Sequence, residues 1–390
     1  ITAKGRMDMK TKNVSTAIIV CVSVLLLSSS ALVSASGQQH MADKNGNTNT
    51  SFDFMPWVCQ FCGHYNNSVK MIVTHHEQFT SLSYEQYYLG PSNYSFSRFG
   101  LISPKQLAAR YDLSVFPMIV SSDKAAMHVL FTNSALQTSF INDAVKTAKM
   151  RGYAGYNMDF EVPYYSDSTA LTSFIANFSA ALAGAGLSLS VDLPGTAVLE
   201  HFSPASYGGA YNWSAISKTD VSKLIVMDYV SIGDFEQIVN YSVANIPLSK
   251  LSIALPDYGF GFLVNTTTPK QFPYNIIKTV GAHMYGQVKA IVHDALLQHA
   301  KVTKHFSAFY GEAYYEIVYP GENGTAYEYY YINSHAMQLR LNYLEQHGIR
   351  AIAMWRLGSV DNSIWGPLQD YASWASATVV NTPIASEKQE

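Results

Sequence analysis

The sequence is poor in charge, in cysteine and in long apolar runs. Only 14% of its 390 residues are Asp, Glu, Lys or Arg, and 25 basic against 28 acidic side chains leave a formal charge of −3. Without a basic surplus the chain has no electrostatic grip on a phosphate backbone, which excludes nucleic acid as the expected partner. A single long apolar stretch and a mean hydropathy of +0.02 exclude a polytopic membrane protein. Three cysteines are too few for a disulfide-built scaffold. Cys21 lies in the apolar stretch, and Cys59 and Cys62 form one C-x-x-C whose readings stay open: a short-loop disulfide, free thiols, a redox pair or half a metal site. No second C-x-x-C exists, and His64, His75 and His76 lack a ligand spacing, so no metal is expected.

What the sequence does have is apolar and aromatic matter. It is 48% hydrophobic, with 27 Tyr, 19 Phe and 5 Trp, enough for one large core or two small ones and too much for a disordered chain. Near the N-terminus, Lys10 and Lys12 precede an apolar run over 16–27, and Val33-Ser34-Ala35 supplies the small residues of a cleavage site. The pattern predicts a signal peptide over 1–35; the alternative is an uncleaved membrane tether through 14–33. Either way the chain is expected to be exported, secreted or held outside the cytoplasm. Residues 36–50 read as a polar linker and 376–390 as a tail. Glycosylation sequons at Asn49, Asn66, Asn93, Asn177, Asn212, Asn240, Asn265 and Asn323 fit a glycoprotein.

Between linker and tail, β-rich apolar runs recur at 51–59, 70–80, 113–122, 154–162, 187–193, 223–230, 251–258 and 350–357. Helical patterns separate several of them. Over 139–151 Phe140, Ala144, Val145 and Ala148 share a face, and over 168–183 Leu171, Phe174, Ile175, Phe178 and Leu182 do. Strand and helix in alternation, with both strand faces apolar, predict an α/β fold with a parallel sheet, and eight units fit a (β/α)8 barrel. A doubly wound sheet is the alternative, but no Gly-rich phosphate fingerprint follows the first strand. The seventh connection is too long for one helix. Residues 259–348 therefore read as a small α+β insertion between strands 7 and 8, with a helix near 287–301 and a hairpin around Gly321-Glu322-Asn323-Gly324.

The fourth strand run, Ala154 to Pro163, carries the chemistry. A period of two puts Asn157, Asp159 and Glu161 on one face, with Met158 and Phe160 on the other. The apolar face meets the helices, so the polar face points into the barrel, with Glu161 nearest the C-terminal rim where barrel enzymes keep their sites. Two carboxylates one strand-step apart repel, so a proton is retained. Glu161 at the rim is the expected general acid, as glycoside hydrolysis needs, with Asp159 left to orient or stabilise.

These residues resemble the family 18 glycoside hydrolases, the chitinase family, whose fourth strand carries D-x-x-D-x-D-x-E. Here the pattern is Ala154-x-x-Asn157-x-Asp159-x-Glu161, so the last two acids match and the first two do not. The Asn is similar to the branch of di-N-acetylchitobiases and spore-germination peptidoglycan hydrolases. Tyr211-Asn212-Trp213 and Val226-Met227-Asp228-Tyr229 resemble the family's sixth strand, residues 251–259 its seventh, and Ala353-Met354-Trp355-Arg356-Leu357-Gly358 its last. The resemblance covers 51–375. It implies a retaining, substrate-assisted mechanism in which Glu161 protonates the glycosidic oxygen, the substrate's acetamido oxygen attacks, Asp159 accepts from the acetamido N–H and Tyr229 donates to its carbonyl. It further implies that Asn157 holds Asp159, that Trp355 stacks on the sugar, and that no metal or organic cofactor is needed. Asp228 and Asp257, at strand ends, are added as substrate-binding candidates or helix caps. The expected partner is a polysaccharide or oligosaccharide containing N-acetylglucosamine: chitin, peptidoglycan or an N-glycan core. The alternative is a catalytically silent, lectin-like surface protein.

Overall fold

A computed structural model describes residues 52–62, 65–89, 97–98, 103–267 and 275–377. The expected signal and linker, most of the tail, Cys21, His64, Asn49 and Asn93 lie outside these residues. Strands β1 (Asp53–Val58), β2 (Ser81–Tyr88), with the two-residue β3 (Ser97–Arg98) antiparallel on it, β4 (Ser114–Ser121), β5 (Gly155–Phe160), β6 (Ser188–Pro194), β7 (Lys223–Met227) and β8 (Leu251–Pro256) follow one another in space. After the insertion, β14 (Ala351–Trp355) pairs in parallel with both β8 and β1, and β1 pairs with β2. Apart from β3 the ladder is parallel and closed, so the fold is the expected (β/α)8 barrel.

Seven of the eight expected strand runs are strands. The exception is 70–80, which forms most of a helix, Tyr65–His75, and a 3₁₀ turn, His76–Gln78. Its apolar run Met71-Ile72-Val73 looks like a strand, but Ser68 and Ile72, one helical turn apart, are buried while Val73 stays 43% exposed. The true second strand begins at Ser81. Its outward Leu82 and Tyr84 join the core shared with the helices, whereas the lumen face carries Ser81, Ser83 and Glu85, so it lacks the apolar signature of its neighbours.

Helices form where period and caps agree. The helix Ser134–Arg151 starts at Asn133, whose Oδ1 accepts from the Leu136 N–H at 3.1 Å, and stops at Gly152, in the left-handed conformation at φ 62°. The helix Ser168–Ala183 has the expected bounds and buries Leu171, Phe174, Ile175, Phe178 and Leu182. Phe160 of β5 stacks on Phe174, with ring centroids 6.3 Å apart. Each such ring contributes about 1.5–3 kcal/mol by leaving water, and the outer face of β5 is anchored this way. Inside, Met55, Met118, Ile225, Ala254 and Ala353 fill the lower lumen, so the barrel is packed rather than a pore.

The insertion is an antiparallel sheet of β9 (Tyr258–Asn265), β10 (Ile276–Met284), β11 (Lys301–Ser307), β12 (Glu312–Val318) and β13 (Thr325–Tyr331), in the order β10-β9-β13-β12-β11. The helix Tyr285–Leu297 covers one face through Val288, Val292 and Ala295. The following helix, Ser334–Gln346, buries Met337, Leu341 and Leu344 in the barrel core, so it belongs to the barrel. Arg340 of that helix is fully buried at the seam. Its guanidinium donates to the carbonyls of Val230, Gly311, Tyr310 and Ala336 and to Glu312 Oε1 at 3.1 Å, tying insertion to barrel. Among the described residues no helix is long and apolar enough to cross a membrane.

Candidate active site

The rim of the lumen is built by the C-terminal ends of the strands. β5 turns Asn157 and Asp159 inward, and the N–H of Glu161 continues its ladder by donating to Ser121 O at 2.8 Å. Val162 then takes φ 53°, a left-handed conformation that is costly for a β-branched residue, and the chain leaves the sheet directly after the acid. Asp159 and Glu161 are half-buried, and Glu161 is the outer of the two.

The expected bond from Asn157 to Asp159 is not formed. Asn157 Nδ2 donates to Asp192 Oδ1 on β6 at 2.7 Å, because β5 and β6 pair Asn157 with Ser190 and bring Asp192 to the same lumen face. Asp192 is a third acid in the cluster, and Glu85 of β2 is a fourth. Burial, then the charges of Glu161, Asp192 and Glu85, push Asp159 well above the usual carboxylate range. Burial pushes Asp192 up as well, partly offset by the Asn157 amide. It also raises Glu161, against which a hydrogen bond from the Tyr207 hydroxyl acts. Glu85 is pushed up to about 7 by burial, with Arg356 opposing and Glu161 adding to the rise. Such a cluster retains protons at neutral pH.

Tyr229, just beyond β7, brings a buried hydroxyl to this lumen and packs its ring edge-on to Tyr258 at 5.8 Å. The Tyr229 hydroxyl, Asp159 Oδ1 and Asp192 Oδ2 are buried without a hydrogen-bond partner among the described residues. Trp355 closes the base of the space, its ring 6.0 Å from Trp57 at 64°. Asp257 fixes that platform: its N–H donates to Trp355 O at 3.0 Å, and its Oδ1 accepts from the Arg356 N–H at 2.8 Å. Burial raises Asp257 to about 7, against the pull of Arg356. Asp257 is therefore a support for Trp355 and Arg356.

Asp228 is turned the other way. It lies fully buried on the outer side of β7, where its charged neighbours are Arg340 and Asp234, which takes it out of the substrate-binding set. Of the residues matched to the sixth strand, Val226 and Met227 lie on β7. Asn212 instead caps the short helix Trp213–Ile216, and Tyr211 donates its hydroxyl to Phe160 O at 2.6 Å, behind the acid-bearing strand. Cys59 and Cys62 are joined as a disulfide at the rim, which settles the open readings of the C-x-x-C. Their sulfurs lie with a Glu85 oxygen within 4.8 Å of one another, but disulfide sulfurs are not thiolate ligands for a metal.

No protein-family model matches the chain. A class V chitinase of Arabidopsis thaliana is 22% identical over 271 residues, 62% of this chain and 68% of its own length. The spore cortex-lytic enzyme SleL of Bacillus megaterium superposes with a TM-score of 0.66 over 82% of this chain and 74% of its own, at 18% identity. The chain is chitinase-like in sequence and in fold. The cortical fragment-lytic enzyme of Bacillus anthracis is also 22% identical, over 246 residues and 59% of this chain, and the chitinase-like chain spans about half (52%) of that protein's length. A chitinase-like agglutinin of Robinia pseudoacacia reaches a TM-score of 0.63 over 83% of this chain and 99% of its own, at 19% identity. At these identities the structures speak for fold, and chemistry must come from the rim.

Proposed function

We propose that this chitinase-like chain is an exported glycoside hydrolase that cleaves β-linked N-acetylglucosamine-containing glycans with retention of configuration, using the substrate's own acetamido group. The observation that carries the reading is the pair Asp159 and Glu161 on one strand end, crowded by Asp192 and Glu85, above an aromatic floor. Glu161 gives its proton to the glycosidic oxygen as the bond from that oxygen to the anomeric carbon breaks. The acetamido carbonyl oxygen forms a bond to the same carbon. Asp159 Oδ1, which lacks a partner among the described residues, accepts from the acetamido N–H as positive charge develops, and the Tyr229 hydroxyl steadies the reacting carbonyl. The Glu161 carboxylate then takes a proton from water, which attacks the anomeric carbon and reopens the ring. Two inversions give retention.

Export is supported by the pattern of 1–35 and by the rim disulfide, which persists in an oxidising compartment. A tether through 14–33 would keep the barrel at the outer surface of the membrane. A panel of chitin oligomers, peptidoglycan fragments and N-glycan cores, followed by proton NMR at early times, tests the reading and selects the substrate. The β-anomer should appear first, and a thiazoline mimic of the cyclised intermediate should inhibit. Early α-anomer would refute the mechanism, and binding without turnover across the panel would establish a silent lectin-like protein instead.

A further inference from the structure

The loops that follow β5 and β6 enclose a cavity of about 270 Å³, lined among others by Lys124, Val162, Tyr164, Tyr165, Glu200 and Tyr207. It approaches the ~300 Å³ lower end of small-ligand sites. Tyr164 and Tyr165 are 42% and 46% exposed, and the Lys124 ammonium lies 6.0 Å over the Tyr164 ring. Aromatic faces with polar groups beside them suit a pyranose ring, which offers C–H groups on its faces and hydroxyls at its edges.

Tyr207 belongs to this cavity and to the acid cluster at once. Its backbone N–H donates to Glu200 Oε2 at 2.8 Å, and Gly208 beside it takes φ 87° against Pro194, where a Cβ would come within 2.6 Å of the proline ring, so the loop is held in place. Its hydroxyl hydrogen-bonds the Glu161 carboxyl. Val162 carries the chain from Glu161 directly into the cavity wall. The lumen, with Asp159, Tyr229 and Trp355, is committed to the sugar whose acetamido group reacts. The sugar across the cleaved bond then lies on the cavity side of Glu161.

We propose that the cavity receives the leaving sugar, and that Tyr207 is a positioning residue that aims the Glu161 carboxyl at the oxygen shared by the two sugars. This rests on the hydrolase reading above. Asp159, Asp192 and Glu85 face Glu161 from the barrel, with Arg356 beside Glu85, Tyr211 lies behind the strand with its hydroxyl on Phe160 O, and Tyr207 faces Glu161 from the loop after β6. Burial favours the protonated form of Glu161, whereas the Tyr207 hydroxyl favours the carboxylate. Removing that hydroxyl should both loosen the donor and let it hold its proton to higher pH.

The test is Tyr207→Phe, measured as kcat/KM against pH on two substrates. One is an N-acetylglucosamine oligomer, whose leaving sugar fills the cavity and needs a proton. The other is a chitobioside with a nitrophenyl leaving group, which departs as a phenolate with little need of one. On the oligomer kcat/KM should fall on the order of tenfold and its alkaline limb should move to higher pH, while the aryl substrate should change by less than about threefold. Tyr165→Ala, which leaves the Glu161 bond intact, should raise KM for the oligomer alone and leave the limb in place. Equal losses on both substrates, or an unmoved limb in Tyr207→Phe, would overturn the proposal. If the unaltered protein cleaves neither substrate, the hydrolase reading falls and takes this inference with it; if it cleaves both and Tyr207→Phe treats them alike, the inference alone falls.

Discussion

The end of β7 separates two clusters of buried charge. Outward from it, Asp228 faces the seam where Arg340 is held by four carbonyls and by Glu312. Inward, Tyr229 faces the lumen, where Glu85, Asp159, Glu161 and Asp192 crowd together with one guanidinium, Arg356, close to Glu85. The seam is removed from water, whereas Glu85, Asp159 and Glu161 in the lumen are half-buried. The seam spends its charge on backbone acceptors of two substructures, and it has the design of a joint. Among the described residues both clusters leave buried polar atoms unpartnered, Asp228 Oδ1 and Oδ2 and Arg340 Nε at the seam and Asp159 Oδ1 and the Tyr229 hydroxyl in the lumen, but the seam acids gather around a guanidinium whereas Asp159, Glu161 and Asp192 gather around one another. Buried charge by itself does not mark a site; buried charge of one sign around unpartnered oxygens does.

The sharpest test of this contrast is Glu161→Gln. It should lower kcat by about a hundredfold to ten-thousandfold with glycan binding and melting temperature kept, and a variant retaining more than about a tenth of the rate would contradict the assignment. Arg340→Met should act on the other side, costing about 3–5 kcal/mol in urea unfolding, because it strands Glu312 and four carbonyls. Adding Glu312→Met should recover much of that loss. If Asp192→Asn destabilised as strongly as Arg340→Met, the two clusters would be alike after all.

The lumen acids should instead weaken the fold. Asp159 and Asp192 have folded pKa values above the ordinary ~3.9. Their contribution is therefore fully present below about pH 4 and is lost as pH rises through the folded values. Asp159→Asn and Asp192→Asn should each be more stable than the parent at pH 7, on the order of 1 kcal/mol, with the advantage gone near pH 4. Thermal melts across that range check the sign, and a constant difference would defeat the argument. Asp192→Asn should also move the alkaline limb of the rate profile to lower pH, since one negative charge near Glu161 disappears. The smallest effect belongs to Asn157→Asp. The new carboxyl shares a proton with Asp192, so the net charge hardly changes and the limb should shift only slightly upward.

The barrel was readable because seven of its strands lie in apolar runs, apolar on the outer face alone in β5 and β6. β2 escaped because its lumen face is Ser81, Ser83 and Glu85, and the acid was lost together with its strand. Asp192 was within reach: Ser188, Ser190 and Asp192 alternate on one face of a run already taken as a strand, the same signal that singled out Asn157, Asp159 and Glu161. The partner of Asn157 was not, since it depends on the register of β5 against β6. Nor was Tyr207, one of 27 tyrosines, on a loop whose course is set by Gly208 and Glu200.

The insertion separates β8 from β14, two strands that must pair to close the barrel. Left as open chain, a connection of that length would add to the entropy of closure with the logarithm of its length. Here β9 and β13 are antiparallel neighbours, and Gly259 passes so close to Tyr330 that an added Cβ would lie 2.3 Å from its carbonyl oxygen. The first strand of the insertion therefore begins beside the end of its last. Once the sheet is made, the barrel feels the whole insertion as a short loop, and its size can change without changing the distance the barrel must close.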